Sequence, residues 1–213
     1  MKKLEHGRSM VEMLGVLAII GVLSVGAIAG YQKAMFKYKL NKQAQQLNQV
    51  INTVAINWRH FAFSGHVVNI LPYFVKLGDI PKEMITGNDD RIIYDIFKTP
   101  IKIYSSDADT EGEQVVEIWL NPQLQSDSKQ NLEICKNIIL TAKEYHDDLY
   151  TVSTVSDNDA GDGYNSLFMY GDKICRQGYT CLKNITLDDI YKLCTNHIKR
   201  EGVHFKISWY TGI

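Results

Sequence analysis

The chain has 213 residues, and its 23 Lys and Arg stand against 24 Asp and Glu, a formal net charge of −1. A balance this close to neutral offers no electrostatic footprint for nucleic acid as a principal partner. No nucleophile motif, phosphate-binding loop or dinucleotide fingerprint is present, so the chain is not expected to be an enzyme and no cofactor is expected.

Residues 1–7 form a short leader with Lys2 and Lys3, closing at Gly7. Arg8-Ser9-Met10-Val11-Glu12 follows, and from Met13 to Gln32 no residue is charged. Crossing a hydrocarbon core takes about 20 apolar residues, so residues 8–31 read as a membrane-spanning helix. A secretory signal peptide has an apolar core of roughly 7–15 residues, shorter than this run, which disfavours removal of the whole segment. Lys2, Lys3 and Arg8 precede the span and Lys33, Lys37, Lys39 and Lys42 follow it, so charge alone does not set its orientation. Gly26 and Gly30 form a G-x-x-x-G pair that permits close helix approach. Glu12 is the unusual residue. A carboxylate in a spanning helix costs on the order of 2.5–3.5 kcal/mol on insertion scales and usually has a partner. Either it lies at the interface and reaches the headgroups, or it pairs with a cation brought by another subunit, for which a new N-terminal amine would serve.

The helical pattern continues over residues 32–64. Phe36, Leu40, Ala44, Leu47, Ile51, Val54, Trp58 and Phe61 recur at steps of three and four, with Lys37, Lys42, Gln45, Gln49, Asn52 and Arg59 on the other side. A helix from about Ser9 to about Ser64 is expected, on the order of 80 Å long. Its second half needs a soluble domain to cover the stripe.

Residues 65–213 suffice for one domain of ordinary size. Ile101–Tyr104 and Val115–Leu120 read as strands. Ser128–His146 reads as a helix with Leu132, Cys135, Ile138, Ile139, Ala142 and Tyr145 on one face. Leu149–Val155 is rich in β-branched residues and reads as a strand, Ser156–Asn165 as a loop, and Leu167–Tyr170 as a short strand. Thr186-x-x-Asp189 resembles a capping box opening a helix to about Lys199. Val203, Phe205, Ile207 and Trp209 alternate with His204, Lys206, Ser208 and Tyr210, the pattern of a final strand with one buried face. The expected fold is α+β, an antiparallel sheet with the long N-terminal helix laid across it.

The four cysteines all lie in this last domain, an even count that suggests an oxidising compartment and an outward-facing head. Of three possible pairings, Cys135–Cys194 and Cys175–Cys181 are favoured. The first two sit on the apolar stripes of predicted helices. The second two flank Arg-Gln-Gly-Tyr-Thr, where Gly178 permits a tight turn. A zinc set of Cys175, Cys181, Cys194 and His197 is disfavoured by the wide Cys175–Cys181 spacing. Asp157-x-Asp159 fails the EF-hand pattern, with Gly161 fifth and Phe168 twelfth. No metal site is expected. Tyr73, Phe74, Tyr164, Phe168, Tyr170 and Tyr179 read equally as an exposed packing surface or as core.

Gly7, Glu12 and the apolar run from Met10 to Gly30 resemble the prepilin-type N-terminus of the type IV pilin and pseudopilin family. The resemblance covers roughly the first 60 residues. It implies a structural subunit with a cytoplasmic leader at 1–7, cut by a prepilin peptidase between Gly7 and Arg8 and N-methylated on Arg8. Glu12 would neutralise the N-terminal amine of a neighbouring subunit during assembly. Arg8 stands where the family usually starts the mature chain with an apolar residue, and the helix-kinking Pro of many members is missing. The partners implied are further copies or other pilins in a pilus or pseudopilus, as in type II secretion, together with the inner-membrane assembly machinery. The alternative is a non-polymerising, single-span membrane-anchored protein with an extracytoplasmic ligand-binding or sensing head. A secreted soluble domain behind an unusual signal peptide is a third.

Overall fold

Helix α1 runs without a break from Met10 to Asn57, 48 residues. The computed structural model describes residues 10–61, 66–107, 114–122, 124, 129–157, 164–197 and 204–210. The chain divides into two compact units, Met1–Lys39 and Leu40–Ile213. The division falls inside α1, beyond the boundary near residue 31 that hydropathy alone suggests. Leu40, at the start of the second unit, packs against that unit's buried cluster.

The α-helix stops at Asn57, short of the expected Ser64. The Asn57 side chain donates to the Thr53 carbonyl at 2.9 Å, and a 3-10 turn at Trp58–His60 tightens the end. Phe61 is then extended. Its carbonyl accepts a 2.7 Å hydrogen bond from Gln114 Nε2, and its ring meets Tyr73 and Phe74 edge-on at 5.4 and 5.2 Å. The expected helical residues 62–64 lie outside the described residues.

The second unit is α+β. Strands β1 (Val68–Asn69) and β2 (Ile93–Tyr94) both pair along one side of β3 (Pro100–Asp107). Between them lie α2 (Leu71–Leu77), ended by left-handed Gly78 (φ 81°), and a 3-10 turn at Lys82–Met84. On its other side β3 pairs with β4 (Gln114–Leu120). Helix α3 spans Lys129–Lys143, β5 Thr151–Asp157, β6 Tyr164–Tyr170, α4 Leu187–His197 and β7 His204–Tyr210. The strand order is β1-β3-β4-β7-β5-β6, with every named pair antiparallel.

Opposed residues of antiparallel strands share a face. Ile103, Ile118, Ile207, Val152 and Met169 therefore form one row across five strands, and all are fully buried. Leu47, Val50, Ile51 and Val54 of α1, Trp58 of the turn after it, and Cys135, Ile138, Ile139 and Ala142 of α3 belong to the same buried cluster. Each large apolar side chain so buried contributes about 1.5–3 kcal/mol.

Strands β5 and β6 reach further than their apolar cores suggest, to Asp157 and from Tyr164, which shortens the loop expected at Ser156–Asn165. Regular pairing carries them on, with Ser156 opposite Asn165 and Asp157 opposite Tyr164. Ser208, expected outward on β7, is buried, because its small side chain lies between β4 and β5 and donates to Glu117.

Candidate functional site

From Met10 to Ala34 every α1 residue is exposed. Met10 is 84% accessible, Val22 75% and Val25 70%. This helix is long and apolar enough to cross a membrane, with a mean hydropathy of 2.4 over its best window and none of that window buried in the chain itself. Apart from adjoining residues and the helix's own backbone, a Cβ placed on Gly15, Gly21, Gly26 or Gly30 would meet no atom of the described residues within 4 Å. Among the described residues no neighbour therefore requires these positions to be small. Glu12 lies in the first turn of α1, where a carboxylate is favoured by the helix dipole. Gly7 and Arg8, the positions that the pilin resemblance assigns to cleavage and methylation, lie outside the described residues.

From Leu40 on, α1 is held by a polar cluster as well as by its apolar stripe. Gln43 Nε2 donates to Asp95 Oδ2 at 2.6 Å. Asn137 Nδ2, on α3, donates to Gln43 Oε1 at 2.9 Å and to the Leu40 carbonyl at 3.0 Å. Gln46 Oε1 accepts from the Ile96 N–H at 2.9 Å. Asp95 Oδ1 accepts from the N–H groups of Phe97 and Thr99, both at 2.8 Å. Gln43, Gln46 and Asp95 are buried. Burial raises the Asp95 carboxyl above its ordinary range, opposed by the hydrogen bonds from Gln43 and from the Thr99 and Phe97 backbone. The Tyr145 hydroxyl adds a bond to the Asn48 carbonyl at 3.2 Å. On the exposed flank, Lys42 lies 2.7 Å from Glu83 and lowers its pKa, chiefly through their hydrogen bond.

These partners come from α3 and from the turn after β2, so they hold α1 in rotation and register where apolar packing alone would let it slide. Sequence pattern did not single out Gln43, Gln46, Asp95 or Asn137. The available signal was two Gln inside the apolar arc, at the one-turn spacing that shares a face.

The two disulfides are Cys135–Cys194 and Cys175–Cys181. The first ties α3 to α4. The second closes the turn at Gly178 (φ 89°). With these cysteines bonded, the weighed zinc set is not formed. The capping box is present, with Thr186 and Asp189 each bonding the other's backbone N–H, at 3.2 and 3.0 Å. Of the aromatics, Phe74 is core, whereas Tyr73, Phe168 and Tyr179 are exposed and Tyr170 is half-buried. Phe168, Tyr170 and Tyr179 stack at centroid spacings of 6.1 and 4.5 Å. Asp159 and Gly161 lie outside the described residues, and so does the side chain of Tyr164.

Among known proteins, no family model, no curated sequence and no solved structure matches the chain.

Proposed function

We propose that the chain is a pilin-like structural subunit. Residues 1–7 are its cytoplasmic leader, a prepilin peptidase cuts between Gly7 and Arg8, and Arg8 becomes the methylated N-terminus. The subunit waits in the inner membrane and then enters an extracytoplasmic type IV pilus or pseudopilus, where copies of α1 or the helices of related pilins pack together. The observation that carries this reading is the division of labour along α1. From Met10 to Ala34 every residue of the helix is exposed, whereas from Leu40 on its stripe is core. Apolar residues exposed all round a helix need lipid or other helices.

The disulfides support an oxidising side for the head. The glycines of α1, with open space around them among the described residues, suit close helix approach. Glu12 is the carboxylate that seeks the neighbouring N-terminal amine and so sets the register of assembly. A Glu12→Ala variant is expected to insert in the membrane yet fail to reach the sheared surface fraction. Wild-type filament yield from that variant would remove the assembly role.

A further inference from the structure

We propose that the solvent side of the central sheet carries a binding groove for an acidic saccharide, a pyranose ring bearing a carboxylate. The groove encloses about 320 Å³ and is lined by Lys102, Tyr104, Trp119, Asn121 and His204 among others, a volume within the range of small-ligand sites. Register puts Trp119 between Lys102 on β3 and Lys206 on β7, all on the face opposite the buried isoleucine row.

The aromatic wall is preset. Trp119 Nε1 donates to Glu117 Oε2 at 2.7 Å, Tyr104 meets the indole edge-on at 5.0 Å, and Lys206 Nζ lies 4.1 Å from the ring centroid. Trp119 keeps 36% of its surface open to solvent. Such a ring is an apolar body that the C–H face of a sugar can cover. Lys206 is partly neutralised by Glu117 at 3.7 Å, whereas Lys102 makes no ion pair among the described residues. Asn121 also lines the groove, and its Oδ1, buried and without a hydrogen-bond partner among the described residues, gains one when the carboxamide turns into the groove.

A ligand that suits all three features must bring an apolar face, a hydrogen-bond donor and a negative charge. Sulfate brings only charge, and hydrogen phosphate brings charge and a donor but no apolar face. A fatty-acid carboxylate lacks the donor for Asn121. A neutral hexose leaves Lys102 unanswered. A hexuronic acid has axial C–H groups for Trp119, hydroxyl donors for Asn121 and a carboxylate for Lys102. No α1 residue is among the described residues that line the groove, and binding there does not depend on filament assembly.

The test is titration of the full-length chain in detergent micelles, following the Trp119 indole N–H by NMR, with Trp119→Phe identifying its signal. Glucuronate is expected to shift this signal saturably, and methyl glucoside to bind about tenfold more weakly, the effect of one charge-assisted hydrogen bond. Lys102→Gln should bring glucuronate down to the level of the glucoside. Asn121→Asp should weaken glucuronate more than glucoside, and it serves if Lys102→Gln fails to fold. No saturable shift with glucuronate, equal binding of glucuronate and glucoside, a matching saturable shift with sulfate, or folded variants that bind glucuronate as wild type does would each overturn the proposal.

Discussion

The Gln43 carboxamide donates a 2.6 Å hydrogen bond to the Asp95 carboxylate across 52 positions of sequence, with Gln43 fully buried and Asp95 2% exposed. It ties α1 to the turn that follows β2. Replacing Gln43 with Ala leaves the inward carboxylate oxygen without that donor and opens a gap beside Asn137. The expected loss of stability is about 2–3 kcal/mol, the scale of a lost hydrogen bond to a buried charged group. Denaturant unfolding of the head, followed by near-UV circular dichroism, measures it.

Asp95 also predicts a pH dependence. Its carboxyl is raised by burial, so the folded chain holds the proton at pH values where the unfolded chain has already released it. The favourable contribution is complete below the unfolded-state pKa and is lost as the pH rises through the higher folded-state value. Lowering the pH from about 7 towards about 4.5 should stabilise wild type relative to Asp95→Asn, which has no such proton to gain. Melting temperatures of both chains across that range test this. A constant difference would contradict it.

The disulfides should contribute unequally. Cys135–Cys194 spans 59 residues and Cys175–Cys181 spans 6. Loop-closure entropy gives about 4 kcal/mol for the first and about 2 kcal/mol for the second. Paired Cys→Ala variants of each bridge, unfolded in denaturant under oxidising conditions, should show that order.

Where periodicity is strong, the sequence alone anticipates the structure. The α1 stripe, the inward face of α3, the Thr186–Asp189 box, the β7 alternation and both cysteine pairs are readable because each is local or carries a clear repeat. Gln43 and Gln46 were not readable as core. A polar residue counts as outward in a periodicity argument, and only the position of Asp95 and Asn137 in space makes burial tolerable. Strands β1 and β2, two residues each, are too short to carry any repeat. They exist because the edge of β3 offers them a partner. The Trp119 groove was equally hidden, since it is assembled by the register of β3 on β4 and of β4 on the sequence-distant β7.

Gly171 gives a sharper test of packing. A Cβ there would lie on the Leu149 carbonyl oxygen, a backbone atom that cannot simply rotate away. The Gly171 N–H also donates to the Tyr150 carbonyl at 2.9 Å, and its own carbonyl accepts from Cys175 at 3.0 Å. Gly171→Ala is therefore expected to cost at least about 2–3 kcal/mol, in the range of overpacking at a site that cannot relax. A thermal melt within a degree or two of wild type would show that the backbone there yields easily.

The central claim is that the chain is a processed subunit built around α1, and its mature N-terminus tests that most directly. Mass spectrometry of the intact protein and its N-terminal peptide, without reductant, should be run on the membrane and sheared surface fractions. The account predicts a chain beginning at methylated Arg8, lighter by two hydrogens for each disulfide, and present in the sheared fraction. A chain that keeps residues 1–7, carries no methyl group and never leaves the membrane would contradict it and favour a membrane-anchored binding domain.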